Sequence, residues 1–277
     1  MGDGVRVAKS IAFQSCRRLD RYLGEADALI ELSELATRYF RDAATQSGDA
    51  VAFVSAESTE RGVRVNIAAF ESWSHHLADT FVVVVYESAE RFLHEFRKEH
   101  EALKSRPWSG VRDDIDPLSL ALRNIRENQG EAEGETGRDL VDRFQYYRLV
   151  RNAIVHTKEP DLRRPRAKLK QLHDYSPQNQ ALLGSLEAPN PPGCLTFDDF
   201  VLFSHLTKML AERICAMAEP AAEEFEKYVT KSFDLRPFRR LASGSERKRN
   251  AIAGCLQTEY GMEASRAQRL ADEILTH

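Results

Sequence analysis

The sequence predicts an all-α protein, a helical bundle of four to five main helices with long connectors and a small helical C-terminal appendage. Two observations carry this. Apolar residues recur at gaps of three and four over several long stretches, which is the spacing of one face of a helix. Proline and glycine gather between those stretches, at 106–136 and 159–195, where they punctuate the chain. The expected division is a helical domain over 1–232 and a small basic helical subdomain over 233–277.

The first helix is expected over 17–47. Leu19, Leu23, Ala26, Leu29, Ile30, Leu32, Leu35, Ala36, Tyr39 and Phe40 set its period, and Ser47-Gly48-Asp49 ends it. Residues 50–66 are mixed: Val51, Phe53, Val63 and Val65 flank a polar centre, which suggests a short hairpin. The second long helix is expected within 67–105. Its valine run at 82–85 has strand propensity, but no glycine or proline interrupts the surrounding segment, so burial in a central helix is the better reading. Residues 106–136 form a connector with one short helix near 117–128 and a solvated, mobile piece from Glu127 to Thr136. The third main helix is expected over 137–157. An irregular proline-rich stretch follows over 159–195. Thr196 is the expected cap of a fourth helix running to about 231 with a bend at Pro220. Two short helices, near 245–259 and 263–276, complete the tail.

Composition bounds the function classes. Apolar residues make up 42% and charged residues 30%, so a real core can form. The net charge of -4 gives no global signature of nucleic-acid binding, although basic residues can still gather locally. Cys16, Cys194, Cys215 and Cys255 form no CxxC pair, and they read as isolated reduced thiols. No secretory n-region and h-region opens the chain, so a cytoplasmic setting is expected. The most apolar run, Phe81 to Tyr86, is far shorter than the ~20 residues of a membrane span, and no membrane partner is expected. No GxxxxGK[ST], GxSxG or GxGxxG is present, which leaves ATP-driven and serine-hydrolase readings without support. His75, His76, His94 and His100 show no ligand pattern, so neither a metal nor a cofactor is expected.

The informative segment is Tyr146-Tyr147-Arg148-Leu149-Val150-Arg151-Asn152-Ala153-Ile154-Val155-His156. On a helix, Asn152 and His156 share a face. Arg151 stands about 140° round the axis from His156, so the two converge only if the helix loosens near His156 or a second chain closes the site. These residue types suit RNA cleavage. Histidine moves protons near neutral pH. Arginine grips a phosphate through parallel hydrogen bonds and offsets its developing charge. Asparagine can orient either one. With 29 arginines and 8 histidines in 277 residues, an Arg-x4-His spacing arises about once by chance, so context has to carry the reading. Arg166 and His173 form a looser pair among prolines and read as a decoy.

This segment resembles the signature of the HEPN superfamily (higher eukaryotes and prokaryotes nucleotide-binding). In that family an arginine, a polar residue and a histidine lie late in a bundle helix. Arg151, Asn152 and His156 fill these positions in order. The stretch Tyr86-Glu87-Ser88-Ala89-Glu90-Arg91-Phe92-Leu93 is similar to the family's earlier helix, which often carries an acid before an aromatic-aliphatic pair; Glu90 is the better match and Glu87 the alternative. The resemblance covers roughly 17–230 and is specific only at these two segments. The long connectors depart from the family, and the tail lies outside it.

The resemblance implies a metal-independent endoribonuclease that uses the 2′-hydroxyl of RNA, in the manner of toxins and antiviral defence effectors. It also allows a non-catalytic module that binds a partner protein, nucleotide or RNA. On the first reading Arg151, Asn152, His156 and Glu90 form the catalytic set. Family members commonly dimerise across a shared cleft, so a homodimer with residues 140–157 beside the two-fold axis is expected, with Tyr146 and Tyr147 available as anchors. An antitoxin or regulatory protein is a further expected partner. The basic run over 158–170 includes Arg163, Arg164, Arg166 and Lys168 and follows His156 directly, where an RNA backbone would lie. Residues 231–250 form a second basic run, suited to RNA or an acidic partner.

Overall fold

The computed structural model describes residues 13–70, 72–112, 115–155, 161–173 and 186–276. The chain is all-helical as expected, with no strand among the described residues. Its helices are α1 (Gln14–Gln46), α2 (Ala50–Glu60), α3 (Trp73–Lys104), α4 (Pro117–Ile125), α5 (Gln129–Thr136), α6 (Arg138–Val155) and α7 (Arg163–His173). After these come α8 (Phe197–Met217), α9 (Ala222–Ser232), α10 (Glu246–Tyr260) and α11 (Ala264–Thr276). No described helix is long and apolar enough to cross a membrane.

The chain divides into two compact units, one of residues 21–89 and 137–208, the other of 1–20, 90–136 and 209–277. In the first, Phe81 and Tyr86 on α3, Phe144 and Tyr147 on α6 and Phe200 and Phe203 on α8 form the core. Tyr86 meets Phe144 at 6.1 Å, Phe144 meets Phe203 at 5.6 Å and Tyr147 stacks on Phe203 at 4.6 Å between ring centroids. Val82 and Val85 are fully buried within α3, so tertiary packing overrides the strand propensity of the valine run, while Val83 and Val84 remain half-buried.

In the other unit Phe13, Phe96, His100 and Trp108 form an aromatic cluster, with Phe13 and Phe96 4.8 Å apart. Ser15 Oγ donates to Glu99 at 2.7 Å, and Arg18 pairs with Glu95 at 3.2 Å. The tail helices belong to this unit. Arg17 donates to the Tyr260 carbonyl at 2.9 Å, and Glu226 on α9 takes Arg266 and Arg269 from α11 at 2.9 and 2.7 Å.

Four local expectations are overturned. Residues 50–60 are the helix α2 and not a hairpin strand: Asp49 caps it by accepting from Ala52 N–H at 3.0 Å, and Val54 anchors it in the core. The piece from Glu127 to Thr136 holds the helix α5 rather than a solvated coil. Asn128 accepts from Gly130 N–H at 2.9 Å, Ala132 and Thr136 are buried, and Arg126 grips Glu135 at 2.8 Å. Within the proline-rich 159–195, residues 163–173 form α7. Pro165 sits in its first turn, where no intrahelical N–H is needed, and it shares the buried face with Leu169 and Leu172. The expected bend at Pro220 is a complete break between α8 and α9.

Candidate functional site

The site is built on the last turns of α6. That helix buries Leu140, Val141, Phe144, Tyr147 and Val150, which fixes its rotation and leaves Arg151 and Asn152 half-buried. One turn before Arg151, the Tyr147 hydroxyl donates to Asp199 Oδ1 at 2.9 Å inside the core. Asp199 is fully buried and collects four more donors: Asn190 N–H at 2.9 Å, Asn190 Nδ2 at 2.9 Å, Thr196 N–H at 2.9 Å and, more weakly, the Thr196 hydroxyl at 3.4 Å. Thr196 precedes α8 and Asp199 lies three residues on, so their bond is one half of a capping box. Tyr146 donates to the Asn190 carbonyl. Burial first, and then the neighbouring Asp199 charge, push the Tyr147 phenol well above its ordinary range, so it serves here as a donor. Near the start of α6, Arg143 and Asp139 form an almost buried pair at 3.0 Å.

Arg151 projects from this anchored helix over the Tyr86 ring, with its guanidinium carbon 5.1 Å from the ring centroid. That distance allows a cation–π contact. Its Nη1 lies 3.4 Å from Asn152 Oδ1, a long and weak bond. Its Nε is buried with no hydrogen-bond partner among the described residues. Arg17, Arg97 and Arg249 also bury an Nε in this way, so the feature does not by itself single out Arg151.

His156 lies outside the described residues. Glu87 and Glu90 are both exposed on α3; Glu87 falls in the same unit as Arg151, and Glu90 in the other. On α7, Arg163, Arg164 and Arg166 are exposed, with Arg163 bound to Asp161 at 3.0 Å. Lys168 differs from them: it is half-buried and paired with Asp142 on α6, so it joins α7 to α6 and is not presented to solvent like its neighbours. Tyr146 and Tyr147 are fully buried within the chain, so neither can be the interface anchor expected of them. Among the suspected histidines, His75 contacts the Leu195 carbonyl at 3.0 Å and His100 accepts from Trp108 Nε1 at 2.9 Å.

Sequence reasoning marked Thr196 as a cap but missed Asp199, Asn190 and the buried Arg143–Asp139 pair. The Thr-x-x-Asp spacing at 196–199 was the available signal for Asp199. Nothing local marked Asn190, whose partners come from three separate segments.

The fold and the site together define an all-helical protein with an arginine-centred polar patch at one helix end. Comparison with known proteins adds no relative: no protein-family model, no curated protein and no solved structure matches the chain.

Proposed function

We propose that this chain is a metal-independent endoribonuclease of the HEPN type, working in the cytoplasm as a toxin or antiviral effector. One observation carries the proposal. Arg151 is held over Tyr86 beside Asn152, five residues before His156. The half-buried guanidinium offers a scissile phosphate a planar, permanently charged fork.

The reaction needs few groups. His156 accepts the proton of the ribose 2′-hydroxyl, or protonates the departing 5′-oxygen. The 2′-oxygen attacks phosphorus, the bond to the 5′-oxygen breaks, and the products are a 2′,3′-cyclic phosphate and a 5′-hydroxyl. Arg151 stabilises the charge that builds on the phosphate oxygens. Asn152 orients the guanidinium. Glu90, or Glu87 in its place, is the accessory acid that the family resemblance implies. The exposed Arg163, Arg164 and Arg166 of α7 hold the RNA backbone through phosphate contacts.

The second reading is a binding module without chemistry, and the exposed basic face of α7 favours it because phosphate contacts alone suffice for RNA binding. Incubation with RNA in EDTA separates the two. The nuclease cleaves, and Arg151→Ala and His156→Ala stop it without unfolding the chain. A binding module retards RNA in a gel and leaves it intact.

A further inference from the structure

Helix α1 carries large apolar side chains that no other described residue covers. Leu29 is 66% exposed, Leu32 63%, Leu35 65% and Tyr39 78%. Isolated exposed leucines are ordinary, but these fall on one stripe. Ala28, Leu32, Leu35 and Tyr39 follow gaps of four, three and four, the spacing of a coiled-coil seam. Leu29 and Ala36 border the seam on one side, and Glu31 and Arg38 border it on the other. The stripe lies wholly within residues 21–89 of one compact unit.

The seam is complementary to itself in only one direction. In an antiparallel pair about a two-fold axis, Leu32 meets Leu35 of the second copy, and the small Ala28 meets the large Tyr39. The same register sets the flank residue Glu31 against Arg38 of the other copy, twice by symmetry. Leu29 and Ala36 meet on the opposite flank and add apolar area. A parallel pair loses both charge matches, because Glu31 then faces Ala36 and Arg38 faces Ala43. Both charged residues are exposed. Arg38 holds Glu34 of its own helix at 2.8 Å, yet its side chain stays 64% exposed and can reach across a seam. Glu25 and Asp42 face each other in the next layer of that register, so like charges end the seam after about 17 Å of helix.

We infer that α1 is a self-association surface, on which two copies of the chain pair antiparallel through Leu32, Leu35 and Tyr39 with reciprocal Glu31–Arg38 contacts. This places self-association on α1 rather than on α6, and it does not depend on the ribonuclease reading. So short a seam covers less area than a standard interface, which makes the dimer reversible, with a dissociation constant in the micromolar range.

Sedimentation equilibrium of the full chain at low micromolar to hundred-micromolar loading tests this, with circular dichroism confirming that each variant is folded. The wild type is expected to pass from monomer to dimer over that range. Glu31→Arg and Arg38→Glu are each expected to weaken the dimer about tenfold, since each turns two attractive contacts into repulsive ones. The double variant E31R/R38E restores it, and Leu32→Glu abolishes it. A wild-type monomer throughout, or a dimer that ignores all four variants, overturns the inference. A double variant no tighter than the single ones also overturns it, because the charge register is then wrong.

Discussion

At the scale of single residues, Arg151 depends on the groups that hold α6 still beneath it. Asp199 is the centre of that support. It takes donors from Tyr147, Asn190 and Thr196, so removing its carboxylate strands buried donors on three segments at once. Asp199→Ala is expected to cost on the order of 3 kcal/mol of folding stability, read as a lower urea midpoint with unchanged slope. Tyr147→Phe removes one of those donors and is expected to cost about 1 kcal/mol. An Asp199→Ala variant as stable as the wild type would show that this network does not hold the helix.

A second residue-scale prediction concerns His100. Burial first, then Lys104 and Arg106, bring its pKa down to about 4 from the ordinary 6.5. The folded chain therefore keeps His100 neutral between those values while the unfolded chain protonates it. The unfolded state binds the extra proton, so stability falls as pH drops from about 6.5 toward 4 and is fully present above that window. The full effect is on the order of 3 kcal/mol. His100→Gln is expected to flatten that part of the stability–pH curve, whatever it costs at neutral pH. An unchanged slope would remove His100 as its source.

At the scale of elements, the long helices were legible in the sequence, as were the short α4, α10 and α11, while the short α2, α5 and α7 were not. Leu19, Leu23 and Ile30 of α1 are buried as their periodicity marked, because a long amphipathic repeat outweighs local preferences. Helices α2, α5 and α7 were read as hairpin, coil and irregular chain. Their compositions argue against helix: valines in α2, two glycines in α5 and Pro165 in α7. Side-chain caps from Asp49 and Asn128 and burial of Val54, Ala132 and Leu169 outweigh those penalties. The periodicity of α1 also over-read burial, since Leu29, Leu32, Leu35 and Tyr39 repeat like core residues yet face outward. A period shows a stripe and not what covers it.

Helix α7 carries its own prediction. Replacing Arg163, Arg164 and Arg166 together with glutamate is expected to weaken RNA binding and to flatten its salt dependence by about two in the log–log slope. Lys168→Ala is expected to leave that slope nearly unchanged and to cost at most about 1 kcal/mol of stability, because its ammonium is held by Asp142. Equal slopes for the wild type and the triple variant would take α7 out of the RNA path.

At the scale of the whole molecule, the candidate site was legible only as a set of residue types. The sequence put Arg151, Asn152 and His156 in order on one helix end. It could not show that the guanidinium lies over Tyr86, because that contact joins residues 65 positions apart. The four cysteines are unpaired thiols in the structure, two of them buried.

The central claim is that Arg151 and His156 cut RNA without a metal. The most direct measurement is single-turnover cleavage of a labelled RNA in excess EDTA, with the product ends analysed. The expected products are a 2′,3′-cyclic phosphate and a 5′-hydroxyl. Rate losses of about 10²–10⁴ are expected for His156→Ala and of about 10²–10³ for Arg151→Ala. Cleavage that requires a divalent ion, or that proceeds at the wild-type rate in both variants, would contradict it.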